Sequence, residues 1–257
     1  MSKARNRPPH LETRVGPHHI VPPPTLEDTL VRAHVAGRAA GLSPSELRRS
    51  VERASADRLH PTPLADAWVS VEQVFGATFA DPRINPALTV GAARRALARV
   101  SEIANANARI AVATSLPASL LTVHLAIARF ARISGADVAD EEDAGPLRVD
   151  GRSDRYLRWV DGVAAVTDGR SLHSVRGLEA AQEWLFMIPR PALVIADGPY
   201  ADVAADAGIE VIAFAGLDHC SLAIAARPSR RGFVVPMWTD RPPGAYRPLL
   251  ERALATP

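Results

Sequence analysis

Three kinds of side chain in this sequence are spaced for chemistry on a phosphorylated or otherwise anionic ligand. Hydroxyls cluster in Thr114-Ser115-Leu116-Pro117-Ala118-Ser119, directly after the apolar run Ile110 to Ala113. A strand that leads through such a turn into a helix presents unpaired N–H groups and the positive end of the helix dipole. Thr114, Ser115 and Ser119 are therefore candidate phosphate-binding residues; the plainer role of Ser115 is to cap the helix. Carboxylates follow later apolar runs, Asp197 after Leu193 to Ala196 and Asp218 after Val211 to Ala215. Oxygen ligands suit Mg²⁺ or Mn²⁺, so Asp197 and Asp218 are candidate metal ligands, weighed evenly against a role as turn formers. Asp240 is a weaker third. His173, between Ser171 and Ser174, and His219 are candidate general acid/base groups. His124 falls inside an amphipathic stretch, Ser119 to Ile133, and reads as a packed or surface residue. Cys220 stands at a predicted helix start, where a thiol pKa is expected to fall.

These residues need a scaffold that brings them to one edge. From Arg109 onward short apolar runs alternate with helical patterns: Ile110 to Ala113, Ala136 to Ala139, Val163 to Thr167, Leu193 to Ala196, Val211 to Ala215 and Phe233 to Pro236. That alternation predicts an α/β fold, a mostly parallel sheet with helices on both faces, whose ligands bind outside the carboxyl ends of the strands. Leu147 to Val149 and Tyr156 to Val160 read as an antiparallel excursion at an edge. Upstream, helices are expected over 25–40, 44–58, 63–76 and 89–105, opened by capping signals such as Ser43-Pro44-Ser45-Glu46. Another is expected over 175–187. The division is a tail (1–24), a helical region packing on the sheet (25–105) and a sheet domain (106–257). Residues 1–24 hold six prolines and His10, His18 and His19 with no apolar periodicity. We expect a flexible tail or a strap through which a protein partner or a second copy attaches.

Composition prunes the alternatives. The 257 residues carry 30 Lys+Arg against 28 Asp+Glu, and Lys3 is the one lysine, so the net charge of +2 is a guanidinium excess spread among acids. Aromatics do not interleave with the arginines, which ranks nucleic acid last. The single cysteine excludes an internal disulfide, and no apolar run suits a membrane span or signal peptide, so a cytoplasmic protein is expected. There is no GxxxxGK[ST], DxDx[TV], GxSxG, HExxH or GxGxxG motif.

The run Ala113-Thr114-Ser115-Leu116-Pro117-Ala118-Ser119-Leu120-Leu121, followed by Val123-His124, resembles the ATGHPxxLLxxH region of a family of actinobacterial proteins labelled as phosphatases. The resemblance continues through Asp161-Gly162-Val163-Ala164, His173-Ser174, Leu193 to Asp197, Ala207-Gly208, Asp218, Val235-Pro236 and Tyr246-Arg247-Pro248-Leu249. It implies a small phosphorylated or anionic metabolite as ligand, and a divalent metal if the motif's histidines and acids are ligands in the relatives. This chain departs from the pattern at polar positions, with Leu116 and Gly198 where histidines are expected. Two readings follow: a metal-assisted phosphoester hydrolase, or a catalytically degenerate paralogue that binds a ligand or a partner protein.

Overall fold

The computed structural model describes residues 24–38, 42–56, 61–149, 151–225 and 231–254, so the tail expectation, Pro24 apart, lies outside the described residues. The first third is helical. α1 (Leu26–Arg32) and α2 (Pro44–Ser55) open on the capping boxes Thr25/Asp28 and Ser43/Glu46, each satisfying two orphan N–H groups. α1 ends well short of 40. His34 and Gly37 adopt left-handed φ of 57° and 82°, and the chain turns into β1 (Gly37–Arg38), which pairs with the distant β2 (Arg83–Ile84). The alanine-rich run 33–40 favours helix locally, and a partner some 45 residues away overrides it. Between them, α3 (Leu64–Phe75) closes on a left-handed Gly76; α4 (Pro86–Asn105) is capped by Asn85.

The sheet follows. β3 (Arg109–Ala113) leads into α5 (Pro117–Ile133), then β4 (Asp137–Val138), the hairpin β5 (Ala144–Val149) and β6 (Arg152–Val160), β7 (Val163–Thr167) and the short β8 (Leu172–His173). α6 (Glu179–Met187), β9 (Leu193–Asp197), α7 (Gly198–Asp206), β10 (Glu210–Ala215), α8 (Ser221–Ala225), β11 (Gly232–Pro236) and α9 (Arg247–Leu254) complete it. The helix expected from Val175 begins four residues later, because Val175 spends its N–H on Ser115 O and the chain bends through 177–178 before Glu179. The strand order is β11-β10-β9-β3-β7-β6-β5; β11, β10, β9, β3 and β7 run parallel, with β6 and β5 an antiparallel edge.

β7 and β9 are buried along their whole length and carry almost only small or branched apolar residues, as strands covered on both faces must. α5 and α7 cover opposite faces, since right-handed crossovers run in opposite directions from β3 and from β9. Bonds across the chain tie the helical region to the sheet. Arg99 on α4 forks onto Glu210 of β10 (2.7 and 2.8 Å), and Trp238, just past β11, donates its backbone N–H to Val35 O and its indole N–H to Gly37 O (both 2.9 Å). α1 also packs on α9. Among the described residues no helix is long and apolar enough to cross a membrane.

Candidate functional site

The chain leaves β3 for β4 and β7 on one side and later returns to lay β9 on the other. The carboxyl ends of β3 and β9 therefore form a topological switch point, where an open α/β sheet leaves a crevice. Thr114-Ser115 stand at one lip and Asp197-Gly198 at the other. Asp197 occupies the N-cap position of α7 but does not cap it. Its carboxylate turns across the crevice: Oδ2 accepts from the Thr114 hydroxyl at 2.6 Å, and Oδ1 accepts from the Ser115 N–H at 2.8 Å and from the Ser115 hydroxyl. The rest of the turn is equally engaged. Thr114 N–H donates to Ala164 O, the Leu116 N–H donates to Thr114 Oγ1 at 3.1 Å, and Ser115 O accepts from Val175 N–H at 2.9 Å. Ser115, read as a helix cap, instead spends its hydroxyl on Asp197, and α5 has no side-chain cap.

This cluster is sealed. Thr114 is 0%, Ser115 2% and Asp197 1% exposed, and two further side chains complete it: His124, expected to be a packed or surface residue, and Tyr200, for which the sequence carried no functional expectation. His124 on α5, wholly buried, donates from Nδ1 to Leu120 O at 2.9 Å, because a carbonyl can only accept. Its Nε2 faces Asp197 Oδ2 at 3.6 Å without a hydrogen bond, and the Phe214 ring lies edge-on to the imidazole at 5.3 Å. Tyr200, two residues past Gly198, is buried edge-on to Trp184, and its hydroxyl has no partner among the described residues. Burial, and then the nearby Asp197, push that phenol far above its ordinary pKa. The helical spacing of Leu120, His124, Ile127 and Ala131 put His124 on the buried face, which is the signal that would have found it.

Burial holds the His124 pKa below its ordinary value, outweighing the attraction of Asp197. A base whose folded pKa is depressed contributes stability above its unfolded pKa, and this is lost as pH falls below it. The melting temperature should therefore decline from pH 7 to pH 5, by up to about 1.4 kcal/mol of stability per pH unit below roughly 6.5. Melting curves of wild type and His124→Gln across that range check this; parallel curves would contradict it.

The remaining candidates divide. Ser119 lies half-buried in the first turn of α5, where the Ala118 N–H has no partner among the described residues. His173, at the same edge, places Nε2 2.9 Å from Asp168 Oδ2 and remains about a third exposed. Backbone N–H groups of Ser171 and Arg170, followed by His173, hold the Asp168 carboxyl well below its usual range. Asp218 and His219 sit in a short 3-10 turn, both open to solvent, and pair with each other at 3.5 Å. Asp218 pairs with His219 rather than joining the Asp197 cluster, and among the described residues Asp240 pairs only with Arg241. Among the described residues no group of three or more His, Cys, Asp and Glu is placed to hold a metal ion. The Cys220 expectation reverses: the thiol is buried beside Ser50, and desolvation pushes its pKa up.

Leu116 and Gly198, which stand where the motif has histidines, flank the sealed carboxylate. Gly198 has φ +49°, and a Cβ there would lie 2.6 Å from Ser115 Oγ. The serine that replaces the motif's glycine thus occupies the space a side chain at 198 would need.

A family model described as Phosphatase matches residues 25–256. A Streptomyces coelicolor protein named Phosphatase SCO2771 is 26% identical over 232 residues, covering 82% of this chain and 87% of that protein. No solved structure gives a significant match.

Proposed function

This chain belongs to the Phosphatase family, and from that premise we propose that it is a phosphatase-like protein that binds a small phosphorylated metabolite without hydrolysing it at Asp197. The observation that carries this reading is the state of that carboxylate. Both oxygens already accept hydrogen bonds from within the chain and the group is 1% exposed, so it meets neither a substrate nor water. Thr114 and Ser115 act on the ligand indirectly, holding the turn that presents the first turn of α5. The Ala118 N–H, the Ser119 hydroxyl and the helix dipole receive the anion, and His173 approaches from the β7–β8 hairpin. The donor set does not fit Mg²⁺ or Mn²⁺, since the Asp197 carboxylate is 1% exposed and already accepts three hydrogen bonds, and Asp218 faces solvent beside His219. No step is assigned to a metal.

The experiment is a titration of inorganic phosphate against melting temperature, run beside turnover of p-nitrophenyl phosphate and sugar phosphates with and without Mg²⁺ or Mn²⁺. We expect a saturable rise in melting temperature, weakened in Ser119→Ala and His173→Ala, and no turnover. Metal-dependent turnover that disappears in Asp197→Asn would overturn the reading. One observation favours a second reading, a hydrolase with His173 as the acid/base group: its Nε2 lies 2.9 Å from Asp168 Oδ2, the carboxylate contact by which an imidazole is oriented for proton transfer. Turnover lost in His173→Ala but kept in Asp197→Asn would establish that alternative.

A further inference from the structure

β11 is the outermost strand on its side of the sheet, and its hydrogen-bonding phase can be read from its two ends. Val211 N–H donates to Arg231 O, and Met237 N–H donates to Ala215 O. In a parallel ladder the alternate residues between them, Phe233 and Val235, then face β10, so Gly232, Val234 and Pro236 turn their backbone groups outward. Pro236 confirms the phase, because its carbonyl accepts from the Thr89 hydroxyl of α4 at 2.6 Å. Pro236 also lacks an N–H and ends the available edge. The outward N–H and C=O of Gly232 and Val234 meet no partner among the described residues.

Those groups do not face flat solvent. Between β11 and helices α3 and α4 lies a cleft of about 250 Å³, lined by Val74, Leu88, Ala92, Arg95 and the strand itself. Its volume is just below the roughly 300 Å³ of small ligand pockets and suits two or three residues of extended chain. The charge at its rim is positive. Arg95 lies over the Phe233 ring at 5.2 Å, and neither it nor exposed Arg231 pairs with a carboxylate among the described residues, whereas Arg99, one turn on, is held by Glu210 and Glu102. A stacked guanidinium beside a strand edge whose outward groups at Gly232 and buried Val234 line this cleft matches an extended acidic peptide, which supplies main-chain bonds to the edge and a carboxylate to the fork.

We propose that the outer edge of β11 is a peptide-binding site: an extended acidic segment of a partner protein adds a short strand at Gly232 and Val234 and places a carboxylate on Arg95. This surface shares no residue with the phosphate site, so its test is read without any phosphoester.

The probe is an N-acetylated, C-amidated five-residue peptide of alternating valine and threonine ending in glutamate, titrated into the full chain and followed by backbone amide NMR. Shifts centred on Gly232 and Val234 are expected. Affinity should fall about tenfold when the glutamate becomes glutamine or in Arg95→Gln, the loss of one charge-assisted pair. Methylation of the central peptide nitrogen should abolish binding. Absence of shifts at these amides would overturn the proposal, as would equal affinity of the N-methylated peptide or of glutarate alone, which would mean an anion pocket. Concentration-dependent dimerisation removed by Arg95→Gln would place a second copy of the chain there instead.

Discussion

Asp197→Ala is expected to lower stability by about 3–5 kcal/mol, because it strips the acceptor from two hydroxyls and one backbone N–H that are all buried. For a chain of this size that corresponds to a fall in melting temperature of roughly 10 °C. Asp197→Asn should cost less, about 1–2 kcal/mol: the amide keeps one acceptor and turns its NH₂ toward a hydroxyl that can rotate to accept. The order wild type, Asn, Ala in scanning calorimetry is the result to look for. If all three melt within a degree of one another, the carboxylate is not a structural brace, and the argument that it is withdrawn from chemistry fails with it.

The second large effect is expected at Gly198. An alanine there would have to hold a left-handed φ of 49° with its Cβ 2.6 Å from Ser115 Oγ, and the two penalties together amount to about 2–4 kcal/mol. Ser115→Gly removes the obstructing oxygen. In a double-mutant cycle followed by urea denaturation, the pair should therefore be more stable than the sum of the single losses by at least about 1 kcal/mol. Strict additivity would show that Ser115 and Gly198 are independent departures from the motif rather than a matched pair.

Much of the scaffold was legible because its signals are local. Val163 to Thr167 forms a strand over the residues expected, since four small or branched apolar residues closed by a threonine and bounded by turns have few other fates in a doubly covered sheet. Capping residues placed the starts of α1 and α2. What local signals cannot carry is a partner far along the chain. β1 lies inside a helical composition and its partner β2 in a proline-marked loop, and the burial of the Cys220 thiol beside Ser50 depends on a residue some 170 positions earlier. The same limit governed the site. Asp197 was visible as a carboxylate after a strand, but its donors come from Thr114 and Ser115, more than 80 residues away, and His124 was legible as a buried helical position without its neighbour being so.

The clasp that Trp238 makes on Val35 and Gly37 sets an order of events during synthesis. The segment around β1 emerges from the ribosome early, yet the groups that fix it, like the α9 surface against which α1 packs, are made some two hundred residues later. At roughly 5–20 residues per second the leading helices wait on the order of ten seconds or more with their apolar faces uncovered. Nascent chains stalled before Trp238 should therefore be the species that chaperones and proteases encounter, and a truncation ending at β10 would be lost from cells even though the sheet's central strands are already complete.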